Sequence, residues 1–180
     1  MRLFYGLSLP AHIRQETARA CALAQSVIPG RYALASNHHI TLAFISDVDP
    51  SRLRDAASAL QRCVSAFPAP RITLTEPDSF GRPQNAILIL RAQSDPPLEP
   101  LHAALRGALH DLRLPASPGP FSPHVTLARH ALLPQTLPRL TAEPLTFTAE
   151  NACLFLSARD RSGVLRYTPI FAVRFPDSGI

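Results

Sequence analysis

A five-residue pattern occurs twice in this chain, as His39-Ile40-Thr41-Leu42-Ala43 and, 85 residues later, as His124-Val125-Thr126-Leu127-Ala128. Shuffling a chain with 7 histidines yields roughly 0.06 His-x-Thr-Leu matches, so chance does not account for two copies. Side chains alternate between the faces of a strand, which sets the histidine and the threonine of each copy on one face about 7 Å apart. The repeat therefore predicts two matching strands that each present an imidazole and a hydroxyl.

Alternation also predicts which way the flanking residues of the two copies point. Strict alternation assigns a core face to Ile40, Leu42 and Phe44. In the second copy it assigns Arg129 to the face opposite His124, so Arg129 reaches the histidine face only through a bulge or a strand end. His38 is expected to point away from His39 and to be structural or exposed.

Hydrophobic periodicity and turn residues predict a mixture of strands and helices along the whole chain. Strands are expected at 2–9, 31–35, 38–46, 70–76, 85–91, 124–129, 145–157 and 164–175. Helices are expected at 11–27, 50–67 and 98–112, with a short helical turn at 134–141, turns at 79–85 and 160–163, and a proline-rich loop or crossover at 114–123. Prominent hairpins favour an α+β fold with largely antiparallel sheets over a doubly wound parallel sheet. No glycine-rich nucleotide loop is present in the sequence.

Length and charge allow one compact domain, or two small lobes that share an interface, with a basic surface. The chain has 180 residues and a formal charge of +5, and all 18 basic residues are arginines. The forked guanidinium suits phosphate, which predicts an anionic partner such as RNA. A basic surface of scattered arginines is the alternative, so charge supports a function without establishing one.

The cysteines and the apolar runs indicate a soluble cytoplasmic protein. Cys21, Cys63 and Cys153 are far apart and form no Cys-x-x-Cys pair, so neither a disulfide framework nor a zinc knuckle is expected. The first nine residues resemble a short signal core, but they lack a small-residue cleavage site and are predicted to form a strand. No run approaches the roughly 20 apolar residues that a membrane helix needs.

Two motif strands that face each other across a cleft would form a phosphoryl-transfer site. One neutral histidine can take a proton from water while a second, protonated histidine donates to the departing alkoxide, because the imidazole pKa is about 6.5. Thr41 and Thr126 can donate to the phosphate oxygens, and Arg129 is the candidate for a bidentate contact. A zinc site is the other option, but two histidines are too few ligands. We therefore expect no metal and no cofactor.

These residues resemble the 2H phosphoesterase superfamily, and within it the RNA 2′,3′-cyclic phosphodiesterases, also called 2′-5′ RNA ligases. The resemblance extends beyond the two motifs to Arg2-Leu3-Phe4, Asn37-His38-His39, Phe80-Gly81-Arg82-Pro83 and Ser122-Pro123-His124. The chain departs from the family pattern at His38, where an apolar residue is more common, and at Ile45-Ser46-Asp47, which replaces a Leu-Gly pair.

The resemblance implies one bilobal α+β domain over residues 1–180, with two intertwined lobes related by a pseudo-twofold axis and the motif strands lining a central cleft. It implies metal-independent hydrolysis of a 2′,3′-cyclic phosphate to a 2′-phosphate, with RNA ends or cyclic nucleotides as substrates, and reversible 2′-5′ ligation. His39 would be the acid toward the 3′ oxygen and His124 the base on water. Thr41, Thr126 and Arg129 would bind the phosphate.

Phe4 is a candidate for stacking on a nucleobase, with core packing as the alternative. We expect a monomer with no membrane partner. Two rival functions stay open at this point. One is a non-catalytic RNA- or nucleotide-binding module, and the other is a related enzyme acting on ADP-ribose 1″,2″-cyclic phosphate or on a 2′-5′ linkage.

Overall fold

A computed structural model describes residues 1–116 and 119–176 of the chain. The strands are β1 (Arg2–Ser8), β2 (Arg31–Tyr32), β3 (His39–Asp47), β4 (Arg71–Arg82), β5 (Asn85–Asp95), β6 (His124–Ala131), β7 (Leu145–Thr148), β8 (Asn151–Arg159) and β9 (Leu165–Arg174). The helices are α1 (Ala11–Gln25), α2 (Leu53–Val64) and α3 (Glu99–Asp111), with 3-10 turns at Ala35–Asn37 and Pro50–Arg52. None of these three helices is long and apolar enough to span a membrane.

The strands form a sheet in the order β7-β4-β5-β6-β3-β1-β8-β9, and β2 pairs with β6. Every strand pair in the described ranges is antiparallel. Two four-stranded halves meet at β6 and β3, where Ile40 and Val125 form the register pair. The α+β class with largely antiparallel pairing is confirmed, and the two expected sheets are joined into one path through this junction. The two motif strands are therefore neighbours at the centre.

The helices and the sheet share a core on one side of the motif strands. Helix α3 buries Leu101, Leu105 and Leu109 at four-residue spacing, as an amphipathic helix does. These leucines belong to the same apolar cluster as Ile40 and Leu42. Because strand side chains alternate, burial of these two β3 residues turns their polar neighbours to the opposite surface, where the candidate site lies.

Several predicted boundaries are wrong. The strand expected at 145–157 is two strands, β7 and β8. The turn expected at 79–85 is shorter and consists of Pro83 and Gln84, because β4 continues to Arg82. No helical turn forms at 134–141, because Pro138 lacks an amide hydrogen and crowds the preceding turn. The strand expected at 31–35 ends at Tyr32, where the chain turns toward a 3-10 turn. The predicted loop 114–123 lies partly outside the described residues.

Candidate active site

An open cleft of about 600 Å³ lies over the centre of the sheet. Five residues predicted from the repeat line it, namely His39, Thr41, His124, Thr126 and Arg129. The register pair Ile40–Val125 brings the two motifs side by side. Because β3 and β6 are antiparallel, this register places His39 opposite Thr126 and Thr41 opposite His124. Residues 85 positions apart in sequence thus share one surface.

Both histidines are oriented by the same backbone contact. The Nδ1 atom of His39 lies 2.6 Å from the main-chain oxygen of Asn37, and that of His124 lies 2.6 Å from the main-chain oxygen of Ser122. A carbonyl oxygen only accepts, so Nδ1 carries the proton in both rings and Nε2 is left as the reactive nitrogen. The hydroxyl of Thr41 lies 2.9 Å from Nε2 of His39 and donates to it when the ring is neutral.

Asn37 connects the first motif to β9. Its side-chain amide donates to the main-chain oxygen of Leu165 at 2.8 Å, and its side-chain oxygen accepts from the main-chain nitrogen of Tyr167 at 3.0 Å. The residue is 8% exposed. Since the carbonyl of the same residue orients His39, the amide clamp fixes the position of that ring.

Aromatic rings pack around both imidazoles. The Tyr167 ring meets His39 edge-on at a centroid distance of 5.1 Å, and the Phe80 ring meets His124 in the same manner at 4.9 Å. Phe4 lies 4.6 Å from the His39 ring and stacks on Phe155, and it is 2% exposed. This burial leaves no free ring face, which argues against the nucleobase contact predicted for Phe4.

Gly6 allows β1 to approach the first motif closely. A Cβ atom at this position would lie 2.8 Å from the main-chain oxygen of Ile40 and 3.4 Å from Cδ2 of His39. Real Cβ contacts are rarely this short, and the nearer atom belongs to the backbone, so it cannot turn aside. The absence of a side chain at Gly6 thus permits the observed position of His39.

A one-residue bulge follows each His-x-Thr pair. In β3, Ala43 and Thr41 pair with two consecutive residues of β1, so Leu42 between them is the extra residue. In β6, Ala128 and Thr126 pair with two consecutive residues of β5, so Leu127 between them is the extra residue. The bulges thus stand at equivalent positions of the two motifs, and each reverses the alternation beyond it.

The bulges explain two residues that alternation assigned to the wrong face. The first six residues of β3 and of β6, counted from the histidine, have the same pattern of burial, and the sixth residue of each is exposed. That sixth residue is Arg129 in the second copy and Phe44 in the first, and both line the cleft. The prediction that Phe44 joins Ile40 and Leu42 in the core is therefore wrong, because Ala43 and Ile45 take the inward positions after the bulge.

The charge of the cleft is positive. Its lining includes Arg31, Arg129 and Arg159 and no carboxylate. Arg31 pairs in register with Arg129 across β2 and β6, and neither makes an ion pair within residues 1–116 and 119–176. Like charges placed opposite each other destabilise a sheet. An anion in the cleft would remove that repulsion.

Burial and charge favour the neutral form of both imidazoles. Burial lowers the pKa of His39 to about 4, with smaller contributions in the same direction from His124 and Arg129. Burial also lowers the pKa of His124, and the charge of Arg129 adds to this effect. One positive charge therefore acts on both rings, and a bound anion would raise both pKa values.

His38 points away from the cleft, as predicted, into a buried polar cluster behind it. It is 4% exposed, with Nδ1 2.8 Å from the hydroxyl of Thr17 and Nε2 3.6 Å from Sγ of Cys21. The Cys21 thiol donates to the main-chain oxygen of Leu127, the bulge residue of the second motif. This cluster links helix α1 to both motif strands.

Known proteins are similar to this chain in sequence and in architecture. Residues 9–161 match the 2′-5′ RNA ligase superfamily. The chain belongs to this superfamily. The RNA 2′,3′-cyclic phosphodiesterase of Escherichia coli strain K12 is 30% identical over 171 residues, which cover 94% of this chain and 93% of that protein. The family indicated by the paired motifs is confirmed.

Solved structures of similar proteins agree with the fold of this superfamily member. The protein TT0787 of Thermus thermophilus matches with a TM-score of 0.82 and 25% identity, covering 99% of this chain and 100% of that one. LigT of E. coli complexed with 3′-AMP matches with a TM-score of 0.75 and 29% identity, covering 97% of each chain.

Sequence reasoning missed several residues of the site. Arg31 lies in a two-residue strand with no motif, and Tyr167 lies far along the chain in β9. Gly6 had a detectable signal, since a glycine inside an apolar strand marks close backbone approach. Within the described ranges, no three His, Cys, Asp or Glu side chains come together in a metal-binding arrangement.

Proposed function

We propose that this protein is an RNA 2′,3′-cyclic phosphodiesterase that opens the cyclic ester to a 2′-phosphate by acid-base catalysis with His39 and His124. The observation that carries the proposal is the matched orientation of the two imidazoles, each held through Nδ1 by the carbonyl two residues earlier. Diagonal neighbours across an antiparallel pair lie about 7–8 Å apart, which leaves room for a phosphoryl group between the rings.

The reaction exchanges one bond at phosphorus for another. A water oxygen attacks in line with the 3′ oxygen while Nε2 of His124 takes its proton. The bond from phosphorus to the 3′ oxygen breaks, and Nε2 of His39 gives that oxygen a proton. The products are a 2′-phosphate and a 3′-hydroxyl, and the two histidines end in exchanged protonation states.

Three further groups stabilise the charge that develops on the phosphate. The hydroxyls of Thr41 and Thr126 donate to the non-bridging oxygens, and Arg129 adds charge-assisted hydrogen bonds. The bound anion also raises the pKa of His39 from its value of about 4, so that the ring can hold the proton it donates. Substrate binding therefore prepares the acid.

The proposal is tested with a panel of cyclic phosphates and two single variants. The wild-type protein should convert 2′,3′-cyclic nucleotides to 2′-phosphates in the presence of EDTA. Each of His39→Ala and His124→Ala should lower kcat by about 10²- to 10⁴-fold. His110→Ala, at a histidine side chain 92% exposed, is the matched control and should keep full activity.

The panel also separates this function from its rivals. Binding of cyclic phosphates without turnover would instead indicate a binding module. Faster hydrolysis of ADP-ribose 1″,2″-cyclic phosphate or of a 2′-5′ linkage would move the substrate assignment to those esters. Joining of a 2′,3′-cyclic end to a 5′-hydroxyl end is the same displacement with that hydroxyl in place of water, and it is measured at high concentrations of both RNA ends.

A substrate with sulfur in place of the 3′ oxygen assigns the two roles, because a thiolate leaves without a proton. On this cyclic phosphorothiolate, His39→Ala should recover most of its lost rate relative to wild type, whereas His124→Ala should not. Recovery by His124→Ala alone would exchange the acid and the base and leave the two-histidine mechanism intact.

A further inference from the structure

His102 is a half-buried histidine of α3 that contacts both motif segments from behind the sheet. Its Nδ1 atom lies 2.6 Å from the main-chain oxygen of Leu42. Because a carbonyl oxygen only accepts, Nδ1 carries the proton and donates it to this bond. The same ring stacks on Phe121, with a centroid distance of 4.3 Å and an interplanar angle of 14°. One side chain therefore joins the first motif to the segment that leads into the second.

The bond to Leu42 lies where the pairing of β3 with β1 is interrupted. Leu42 is the extra residue of the β3 bulge, and it directly follows Thr41. An extra residue disrupts the ladder locally, and a buried main-chain carbonyl needs a donor. Leu42 is 1% exposed. The imidazole of His102 thus supplies a donor at the bulge residue next to the Thr41 hydroxyl.

The bulge of the second motif is held in a different way. The main-chain oxygen of Leu127 accepts from the thiol of Cys21 at 3.7 Å and from the main-chain nitrogen of Ala33 at 2.8 Å. A thiol is a weak donor, so the main-chain contact is the stronger of the two. Backbone therefore holds the second bulge, whereas the imidazole of His102 holds the first.

The stacking partner of His102 belongs to the segment that orients the second histidine. Phe121 directly precedes Ser122, whose main-chain oxygen accepts from Nδ1 of His124 at 2.6 Å. The next residue, Pro123, accepts from the main chain of β5 through its own main-chain oxygen at 3.0 Å. The segment 121–123 is thus supported by His102 at its first residue and by β5 at its last.

We propose that His102 is a positioning residue that fixes the placement of Thr41 and of His124 through these two contacts. The inference rests on the proposed function, because both groups act there on the cyclic phosphate. His102 is not among the described residues that line the cleft, so it acts through the motifs and does not touch the substrate. A displacement near 1 Å can lower a rate about a hundredfold, and loss of either contact alone should cost about tenfold.

Two substitutions separate the two contacts. His102→Asn keeps an amide donor at the position of Nδ1 but loses the stacked ring, whereas His102→Phe keeps the ring and loses the donor. Each should lower kcat for adenosine 2′,3′-cyclic phosphate about tenfold with little change in KM. His110→Ala, on the same helix with a side chain 92% exposed, is the control and should keep the wild-type values. Wild-type kcat in both His102 variants would overturn the positioning role.

A double-mutant cycle identifies the group through which the bulge contact acts. Thr41→Val removes the hydroxyl beside the bulge, so His102→Phe should cause little further loss of kcat in that background. In the Thr126→Val background, where the hydroxyl of the first motif is intact, His102→Phe should still cost about tenfold. Equal losses from His102→Phe in the two backgrounds would overturn its action through Thr41.

The exchange of the Nδ1 proton of His124 with solvent, measured by NMR, gives a readout that needs no turnover. His102→Asn should speed this exchange, because Phe121 has lost its stacking partner, whereas His102→Phe and His110→Ala should leave it unchanged. Equal exchange in wild type and His102→Asn would overturn the role of His102 at the second motif. A wild-type protein that hydrolyses no cyclic ester would contradict the proposed function, and the exchange would still decide whether His102 positions His124.

Discussion

The imidazole of His39 donates through Nδ1 to the main-chain oxygen of Asn37 at 2.6 Å, and the side chain of Asn37 holds the backbone of β9. The orientation of one proposed catalytic ring therefore depends on a strand 128 residues later in the chain. The same contact in the second motif uses Ser122, whose side chain makes no such clamp among the bonds of the described residues. The two histidine rings thus make the same contact with a main-chain oxygen, but only the residue that accepts from His39 is itself held by side-chain hydrogen bonds.

Asn37→Ala is expected to lower kcat about tenfold or more with a smaller change in KM. The variant keeps the carbonyl that accepts from His39 but loses both side-chain bonds to β9, so the ring is less well oriented. Steady-state kinetics on a 2′,3′-cyclic nucleotide measures the effect, and Asn151→Ala at the start of β8 is the control. Wild-type kcat in Asn37→Ala would show that the clamp does not orient the ring.

The pH dependence of kcat/KM should be bell-shaped with its optimum on the acid side of about pH 6.5, the ordinary pKa of an imidazole. Burial lowers the pKa of both His39 and His124, and the charge of Arg129 lowers them further, so both limbs move toward acid. Arg129→Gln removes that charge and should move both limbs to higher pH. Arg54→Gln, which also removes one positive charge but lies on α2, should leave the profile unchanged. Coincident profiles for wild type and Arg129→Gln would be inconsistent with this coupling.

Gly6→Ala should reduce both activity and stability. The added Cβ would lie 2.8 Å from the main-chain oxygen of Ile40, so β1 and β3 must separate and His39 must shift. A displacement near 1 Å can reduce the rate about a hundredfold. Gly107→Ala in α3, where nothing lies within 4 Å of the new atom, is the control and should stabilise the protein by about 0.5–1 kcal/mol. Thermal melting and kcat are measured together, and similar results for the two variants would contradict the close approach at Gly6.

Arg31 should contribute to the salt dependence of KM for longer RNA substrates that end in a cyclic phosphate. This residue faces Arg129 across β2 and β6 in the cleft, where a second phosphate of the strand can neutralise it. Loss of one phosphate contact lowers the slope of log affinity against log salt by about 0.7 for single strands. Arg31→Gln should show this change in KM for an oligonucleotide ending in a cyclic phosphate, and Arg54→Gln should not. An unchanged slope in Arg31→Gln would exclude the contact.

The free energy of unfolding should decrease as the pH falls from about 6.5 toward 4. Burial lowers the pKa of His38 to about 4, so below the ordinary imidazole pKa the unfolded chain binds more protons than the folded one. His38→Gln should make this decrease smaller without abolishing it, because the pKa of His39 is lowered as well. Urea unfolding at several pH values measures it, with His110→Gln as the control. An equally steep decrease in His38→Gln would mean that His38 does not titrate with unfolding.

The local pattern of the sequence was sufficient for the two motif strands and the faces of the helices. Period-two alternation predicted that His39 and Thr41 point away from Ile40, and hydrophobic periodicity predicted the helix at 98–112 that contains α3. These features depend on residues a few positions apart, and burial of one face enforces them. The repeat and the family resemblance therefore indicated the imidazole pair, and the predicted hairpins indicated the α+β class.

Only the tertiary structure decided which residues complete the cleft. Phe44 and Arg129 point into it because bulges form where β3 pairs with β1 and β6 pairs with β5. A bulge is a mismatch in length between two paired strands, so neither strand encodes it alone. Phe4 pairs in register with Phe44, but Phe4 is buried because the rings of His39, Phe155 and Tyr167 pack around it, which is again a tertiary effect. Short motifs determine the chemistry of the site, whereas the register between distant strands sets the direction of its flanking side chains.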